Sequence, residues 1–418
     1  MPRARSRTAT AVAAMGLAVV GMLASCAGGG AATPSPAPPV TASPSPSPSP
    51  TAPPAPSPSP SSSPTTTPAP SPTPSEADPI AGWTLEQKVG RLLMVGRPLD
   101  GDSDLTARLV AERHVGGVFL HGRSHEPVEQ VRAIVDPLRT LATDPPGLLV
   151  ATDPPGLLVA TDQEGGRVQV LQGPGFDAMP SAVEQLGLPD LRAQAAGWGA
   201  QLAAAGVDVN LGPVADLVPA DIGAANPPIG AFDRNYGSTA AEVVAGAGAF
   251  AAGMQDAGVV PTLKHFPGLG RVTANTDTSA DVVDAVTTAD DASVGVFRDV
   301  LAASSAEPRP WVMMSTAVYG LIDPERPAAF SPTVVGLLRD RLGFDGVVIT
   351  DDVSAAAQVQ AWSPGDRAVL AIDAGVDVVL ASADPTVADE MLDALLARAE
   401  SDPAFATKVD DAARRLTR

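Results

Sequence analysis

Read as apolar and polar positions, the chain falls into three regimes. A basic start, Arg3, Arg5 and Arg7, runs into an apolar stretch from Ala9 to Ala24 that only small residues interrupt. From Ala31 to Asp78 nearly every residue is Pro, Ser, Thr or Ala, in repeats such as Ser43-Pro44-Ser45-Pro46-Ser47-Pro48. From Trp83 onward, short runs of Val, Leu and Ile alternate with Ala-rich stretches at helical spacing. The runs are Leu92 to Gly96, Gly117 to Leu120, Leu157 to Thr161, Val207 to Leu211, Val260 to Leu263, Trp311 to Met314, Val347 to Thr350 and Val376 to Leu380. Continuous apolar runs predict strands covered on both faces, as in a parallel sheet backed by helices. Eight successive βα units predict a single α/β domain, a (β/α)8 barrel of TIM type. An open doubly wound sheet would want a Gly-rich phosphate turn after its first strand, and Gly96-Arg97-Pro98 is not one. Thr84-Leu85-Glu86-Gln87 reads as a capping box opening a short helix.

The first two regimes read as an address and a spacer. The apolar stretch is short for a membrane-spanning helix and has the flanks of a signal peptide. It ends in Leu23-Ala24-Ser25-Cys26, which resembles a bacterial lipobox, where the peptide is cut before a cysteine that is then lipidated. The alternative is an ordinary cleaved signal with a spare thiol. The expected organisation is a lipoprotein signal peptide over 1–25, a lipidated Cys26 with a disordered Pro/Ser/Thr linker over 26–79, and the barrel over 80–418. Such a linker cannot bury a core. In polyproline II form, at about 3.1 Å per residue, it reaches on the order of 100 Å from a membrane. The expectation is a secreted domain held by lipid on the outer face of the cytoplasmic membrane as a monomer.

Charge and composition narrow the partners. The net charge of −20 disfavours a phosphate backbone, so nucleic acid is not expected. Cys26 is the only cysteine, so no disulfide closes within the chain. The histidines are His114, His121, His125 and His265, little material for zinc. His121 and His125 stand four apart, but Gly122 between them argues for a loop. No metal or cofactor is called for.

Chemistry concentrates where apolar runs stop. After Thr161 come Asp162-Gln163-Glu164-Gly165-Gly166-Arg167, after Leu263 come Lys264-His265-Phe266-Pro267-Gly268, and after Thr350 come Asp351-Asp352. Any one could merely terminate a strand. In a barrel, however, the C-terminal strand ends share the face that carries active sites. Together the groups suit carbohydrate hydrolysis. A carboxylate can attack an anomeric carbon, and Asp162, Lys264 and His265 offer donors and acceptors for sugar hydroxyls.

At these residues the chain resembles the β-N-acetylglucosaminidases of glycoside hydrolase family 3. The resemblance runs from Thr84-Leu85-Glu86-Gln87-Lys88-Val89-Gly90 to the eighth strand and includes Asn210-Leu211-Gly212-Pro213-Val214-Ala215-Asp216, Arg234-Asn235-Tyr236-Gly237 and Gly343-Phe344-Asp345-Gly346-Val347-Val348-Ile349-Thr350-Asp351-Asp352. It implies that Asp351 is the nucleophile and that Asp162, Arg234, Lys264 and His265 hold the hydroxyls of the non-reducing sugar. The short helical tail after Leu380 is similar to the single-domain branch of the family. The substrate implied is a cell-wall glycan fragment or an amino-sugar oligosaccharide.

The chain departs from that pattern at three places. Leu269 replaces a histidine of the Phe-Pro-Gly-His-Gly motif. Asn275-Thr276-Asp277 stands where the family has Asp-Ser-His, so Asp277 falls on the acid/base histidine and Asn275 on its orienting aspartate. Val170 replaces an arginine. Either Asp277 is itself the proton donor, giving a carboxylate pair, or the acid function is lost. In the second case the barrel cuts only substrates with good leaving groups or merely binds glycans. With Val170, an ordinary β-glucoside is a further alternative.

One repeat stands apart. Ala142-Thr143-Asp144-Pro145-Pro146-Gly147-Leu148-Leu149-Val150 recurs unchanged at Ala151 to Val159. Its period is too short for a structural repeat. Only one copy is needed for the third strand. The second copy joins directly to Asp162 and is expected to form it, leaving the first as a loop at the N-terminal face. Competition of both copies for the strand is the alternative.

Overall fold

The computed structural model describes residues 78–101, 103–142, 156–304 and 306–417. The segment expected to be a signal peptide, Cys26 and nearly all of the expected linker lie outside these residues. The alternation read from the sequence closes into a barrel of eight parallel strands. They are β1 (Leu93–Pro98), β2 (Gly117–His121), β3 (Leu158–Thr161), β4 (Val209–Asn210), β5 (Val260–Phe266), β6 (Trp311–Met314), β7 (Val348–Asp352) and β8 (Val378–Ala381). Each strand pairs with its neighbours in sequence, and β1 pairs with β8 to close the ring. All eight expected runs therefore sit in the wall.

The physical reason is burial on both faces. Every residue of β3, β5, β6 and β8 is buried, because helices cover the outside while side chains fill the inside. Closure needs close backbone approach. A Cβ added at Gly96 in β1 would stand 1.9 Å from the carbonyl oxygen of Ser382, just beyond β8, so only glycine fits. The Ala-rich helices Leu191–Ala204 and Ala240–Asp256 also pack closely, and a Cβ at Gly253 would lie 2.4 Å from the carbonyl oxygen of Arg192.

Helix starts follow local chemistry. Thr84 caps the helix Leu85–Arg91 as expected: its hydroxyl accepts from the Gln87 N–H at 3.3 Å, and its own N–H donates to Gln87 Oε1 at 2.9 Å. After β8 come two helices, Ala388–Ser401 and Pro403–Arg415. Arg414 in the last helix pairs with Asp78 at 2.9 Å, which ties the start of the described domain to its end. A three-stranded sheet that periodicity does not reveal joins Val283–Asp284, Val318–Tyr319 and Asp323–Pro327. Its strands come from the connections after β5 and β6.

The repeat resolves in part. Leu158 and Val159 of the second copy lie in β3, paired to Gly117 and Val118 of β2. The first copy beyond Ala142 lies outside the described residues. Ala142 ends the helix Val128–Leu141, and its Cβ lies 3.8 Å from where a Cβ on Gly156 would be. The two ends of the intervening connection are thus adjacent, and four residues suffice to join them. Deleting residues 143–151, which leaves one copy, should keep the fold. Shortening the connection from thirteen residues to four should stabilise by about 1 kcal/mol. Urea unfolding of the deletion variant measures this, and a clear loss of stability would show that both copies contribute structure.

Candidate active site

The C-terminal ends of the strands build one pocket of about 250 Å³. Asp162, Arg234, Lys264, His265, Asp277 and Asp351 all line it, although they span nearly two hundred positions. Phe119, Leu211, Leu269, Met313 and Leu380 supply apolar wall. A larger cavity of about 920 Å³, bordered by Arg139, Asp208, Arg309 and Asp345, opens among residues at the strand starts. Its charged groups are engaged with one another, as in Arg139–Asp208 at 2.7 Å and Arg309–Asp345 at 2.7 Å. The smaller pocket is the candidate, because it alone joins free carboxylates to Lys264 and His265 at the barrel's catalytic face.

Lys264 and His265 stand on β5 with 2% and 5% exposure. Lys264 Nζ lies 2.7 Å from Asp162 Oδ1 and 2.6 Å from Glu164 Oε1. Arg234 grips Glu164 with two parallel bonds, Nε to Oε2 and Nη2 to Oε1, both 2.8 Å. Burial alone would push Glu164 up, but the charges of Arg234 and then Lys264 outweigh it and hold the carboxyl at about 2. Burial likewise works against Lys264, and Asp162 and Glu164 overcome it and raise its pKa.

His265 is oriented by Asp216, a fully buried residue after β4. Asp216 Oδ2 lies 2.7 Å from His265 Nδ1, while Oδ1 accepts the N–H of His265 at 3.1 Å and that of Leu269 at 2.7 Å. With Nδ1 so engaged, Nε2 is the ring nitrogen left for a ligand. Glu164 and Asp216 both lie in motifs that the sequence marked, yet their roles were not assigned there. The only available signal was an acidic residue just past an apolar run.

The two adjacent aspartates at the end of β7 differ sharply. Asp352 Oδ1 accepts from Ser354 N–H, the Ser354 hydroxyl and Ser382 N–H at 3.1, 2.7 and 2.8 Å, and Oδ2 accepts from Ala355 N–H at 3.3 Å. Its carboxylate is a brace between β7 and β8. Asp351 Oδ1 accepts only from Asp352 N–H at 2.8 Å, and Oδ2 has no hydrogen bond among the described residues. By surface area Asp351 is half-buried, but its carboxyl is set deep in protein. Burial is the main influence that raises it to about 6, and the charge of Asp277 adds to the rise while His265 and Lys264 oppose it.

Asp277 is exposed on the loop after β5, and its carboxyl has no hydrogen-bond partner among the described residues. Asn275 Oδ1 accepts the Asp277 N–H at 2.9 Å, so the asparagine orders backbone, not the carboxyl. Leu269 is 2% exposed and contributes wall. Val170 is buried, donates its N–H to the carbonyl of Asp162 at 3.2 Å, and is not among the pocket residues.

Residues 84–418 match the glycosyl hydrolase family 3 N terminal domain. A crystallised β-N-acetylhexosaminidase from Beutenbergia cavernae is 55% identical, with a TM-score of 0.75 over 80% of this chain and 97% of its own. A β-hexosaminidase of Methylococcus capsulatus is 35% identical over 297 residues, 68% of this chain and 81% of that protein. One of Thioalkalivibrio sulfidiphilus is 37% identical over 303 residues, 69% of this chain and 79% of that protein.

The raised Asp351 predicts a stability gain on its removal. A carboxyl whose pKa rises on folding stabilises most below its ordinary 3.8 and loses that contribution as pH rises through about 6. Asp351→Asn carries no such loss. It should exceed the parent in stability by about 1–2 kcal/mol at pH 7.5, allowing for access to solvent, and the gain should vanish below about pH 4. Urea unfolding at both pH values checks this, and a variant less stable than the parent at pH 7.5 would refute it.

Proposed function

We propose that this chain, which belongs to glycosyl hydrolase family 3, releases terminal β-linked N-acetylglucosamine through a covalent glycosyl ester on Asp351. The observation that carries the reading is the pair of unequal carboxyls in one pocket. Asp351 is deep, nearly free of hydrogen bonds and opposite His265 and Lys264, while Asp277 faces the same space from the exposed loop. Similarity to proteins named β-hexosaminidase supports the amino-sugar class.

The steps follow from the placement. Asp162, Lys264, His265 and Arg234 line the pocket and offer the donors and acceptors against which the hydroxyls of the terminal sugar dock. Asp351 attacks the anomeric carbon as the glycosidic C–O bond breaks, and Asp277 delivers its proton to the departing oxygen. Asp277, now a carboxylate, takes a proton from water, which attacks the same carbon and releases Asp351. Two displacements at one carbon retain its configuration. Apolar wall from Leu269, Met313 and Leu380 excludes water from the back of the pocket and suits the carbon face of a sugar.

The cellular setting belongs to the same proposal. Lipid on Cys26 and the Pro/Ser/Thr spacer would hold the domain outside the cytoplasmic membrane, within reach of wall-derived muropeptides or chito-oligosaccharides.

Hydrolysis of 4-nitrophenyl N-acetyl-β-glucosaminide and of the matching β-glucoside tests the reading. The amino sugar should be the better substrate. Asp351→Asn should fall to background, and Asp277→Asn should lose about 10²- to 10⁴-fold. A 2-fluoro glycoside should label Asp351. The parent's kcat/KM should fall below about pH 6, where Asp351 gains a proton and ceases to be a nucleophile. Full activity in Asp351→Asn, or no turnover of either substrate by the parent, would overturn it.

A further inference from the structure

The carboxyl of Asp277 has no hydrogen-bond partner among the described residues, so its position depends on its backbone. That backbone is strapped to the segment following Asp351. Ala357 N–H donates to the carbonyl of Asp277 and Gln358 N–H to that of Thr276, both at 3.1 Å. The Gln358 side chain, 6% exposed, completes the strap. Its Oε1 accepts Val282 N–H at 2.7 Å and its Nε2 donates to Val282 carbonyl at 3.2 Å. One amide thus grips the far end of the loop, while its own backbone grips the loop beside Asp277.

The segment that holds the strap is itself braced. Arg367, 4% exposed, donates to the carbonyls of Val353 at 3.0 Å, Ser354 at 2.8 Å and Trp362 at 2.9 Å, and to Gln360 Oε1 at 2.9 Å. Asp351 precedes this segment on β7, so both carboxyls are tied to one hydrogen-bonded frame. A buried primary amide with both its ends used on backbone has no slack, and losing it would leave the Val282 N–H unpaired in a buried place, while the Val282 carbonyl would keep its bond from Val318 N–H at 3.0 Å.

We infer that Gln358 is the positioning residue that holds Asp277 over the scissile bond. This rests on reading Asp277 as the proton donor. A carboxyl misplaced by about 1 Å loses much of its catalytic value, and the loss falls only on steps that need the proton. Leaving groups that depart unaided as anions are spared.

The test compares Gln358→Ala, Gln358→Glu and Asp277→Asn on N-acetylglucosaminides of graded leaving-group ability, from 2,4-dinitrophenyl to chitobiose. Gln358→Ala should lose about 10- to 100-fold in kcat/KM on chitobiose and little on the dinitrophenyl glycoside. Gln358→Glu, which keeps the acceptor for Val282 N–H, should lie between parent and alanine variant. Equal losses on all aglycones, or none, would overturn the inference. If Asp277→Asn shows no dependence on the leaving group, the donor assignment itself fails. If Asp277→Asn shows it and neither Gln358 variant does, only the positioning role fails. Should Gln358→Ala not fold, Gln358→Glu carries the comparison alone.

Discussion

A lysine buried on a barrel strand must have its charge answered, and the site is built around that demand. An ammonium taken out of water costs several kcal/mol unless carboxylates meet it at close range. Lys264 is answered by Asp162 and Glu164 from the end of β3. Glu164, now buried with it, needs a second cation, and Arg234 supplies it from the connection after β4. His265, next on the same strand, is answered by Asp216. Each group needs the previous one, so the ends of β3, β4 and β5 cannot shift independently. The pocket is rigid because leaving any member unpaired is costly.

This network is close to neutral within itself, which isolates the remaining charge. Asp162 and Glu164 balance Lys264 and Arg234, so Asp351 receives only partial compensation from Lys264 and His265. Burial then raises it to about 6. A carboxylate held at some cost to stability is a better nucleophile than one already satisfied by hydrogen bonds, and Asp352 is the contrast one residue away. Four N–H and O–H donors saturate Asp352, so it contributes to structure instead.

The fold was legible because barrel strands are buried on both sides and so appear as unbroken apolar runs. Three of the eight runs are followed at once by marked residues, which is enough to put Asp162, Lys264, His265 and Asp351 on one face of a barrel. β4 is the weakest match: the run Val207 to Leu211 predicts five residues of strand, while the strand spans Val209–Asn210, with the N–H groups of Asp208 and Leu211 bonded to β3 on either side. There the Asn210 side chain exchanges two hydrogen bonds with the Gln163 backbone, at 2.9 Å each, just beyond the end of β3. Glu164 and Asp216 were hidden for a different reason. Their partners lie 70 and 49 positions away, and no local pattern distinguishes a carboxylate that will be buried between cations from one that ends a strand. The sheet of Val283–Asp284 and Val318–Tyr319 was hidden because two-residue strands have no readable period.

The resemblance that puts Asp277 where the family has a histidine implies a different task for the rest of the loop. An imidazole at that place can be oriented through its second nitrogen by a neighbouring carboxylate, so one side chain positions another. The Asp277 carboxyl has a second oxygen that could serve in the same way, but neither of its oxygens has a hydrogen bond among the described residues. Asn275 accordingly turns to the Asp277 N–H, and Leu269 fills wall where a polar ring would need partners. Orientation must then come from the backbone, through bonds that run from the loop to the segment beyond Asp351. Aspartate at this place and a glutamine strap behind it are therefore parts of one arrangement. A chain that kept the imidazole would have less need of the strap, since its donor would be held from the side.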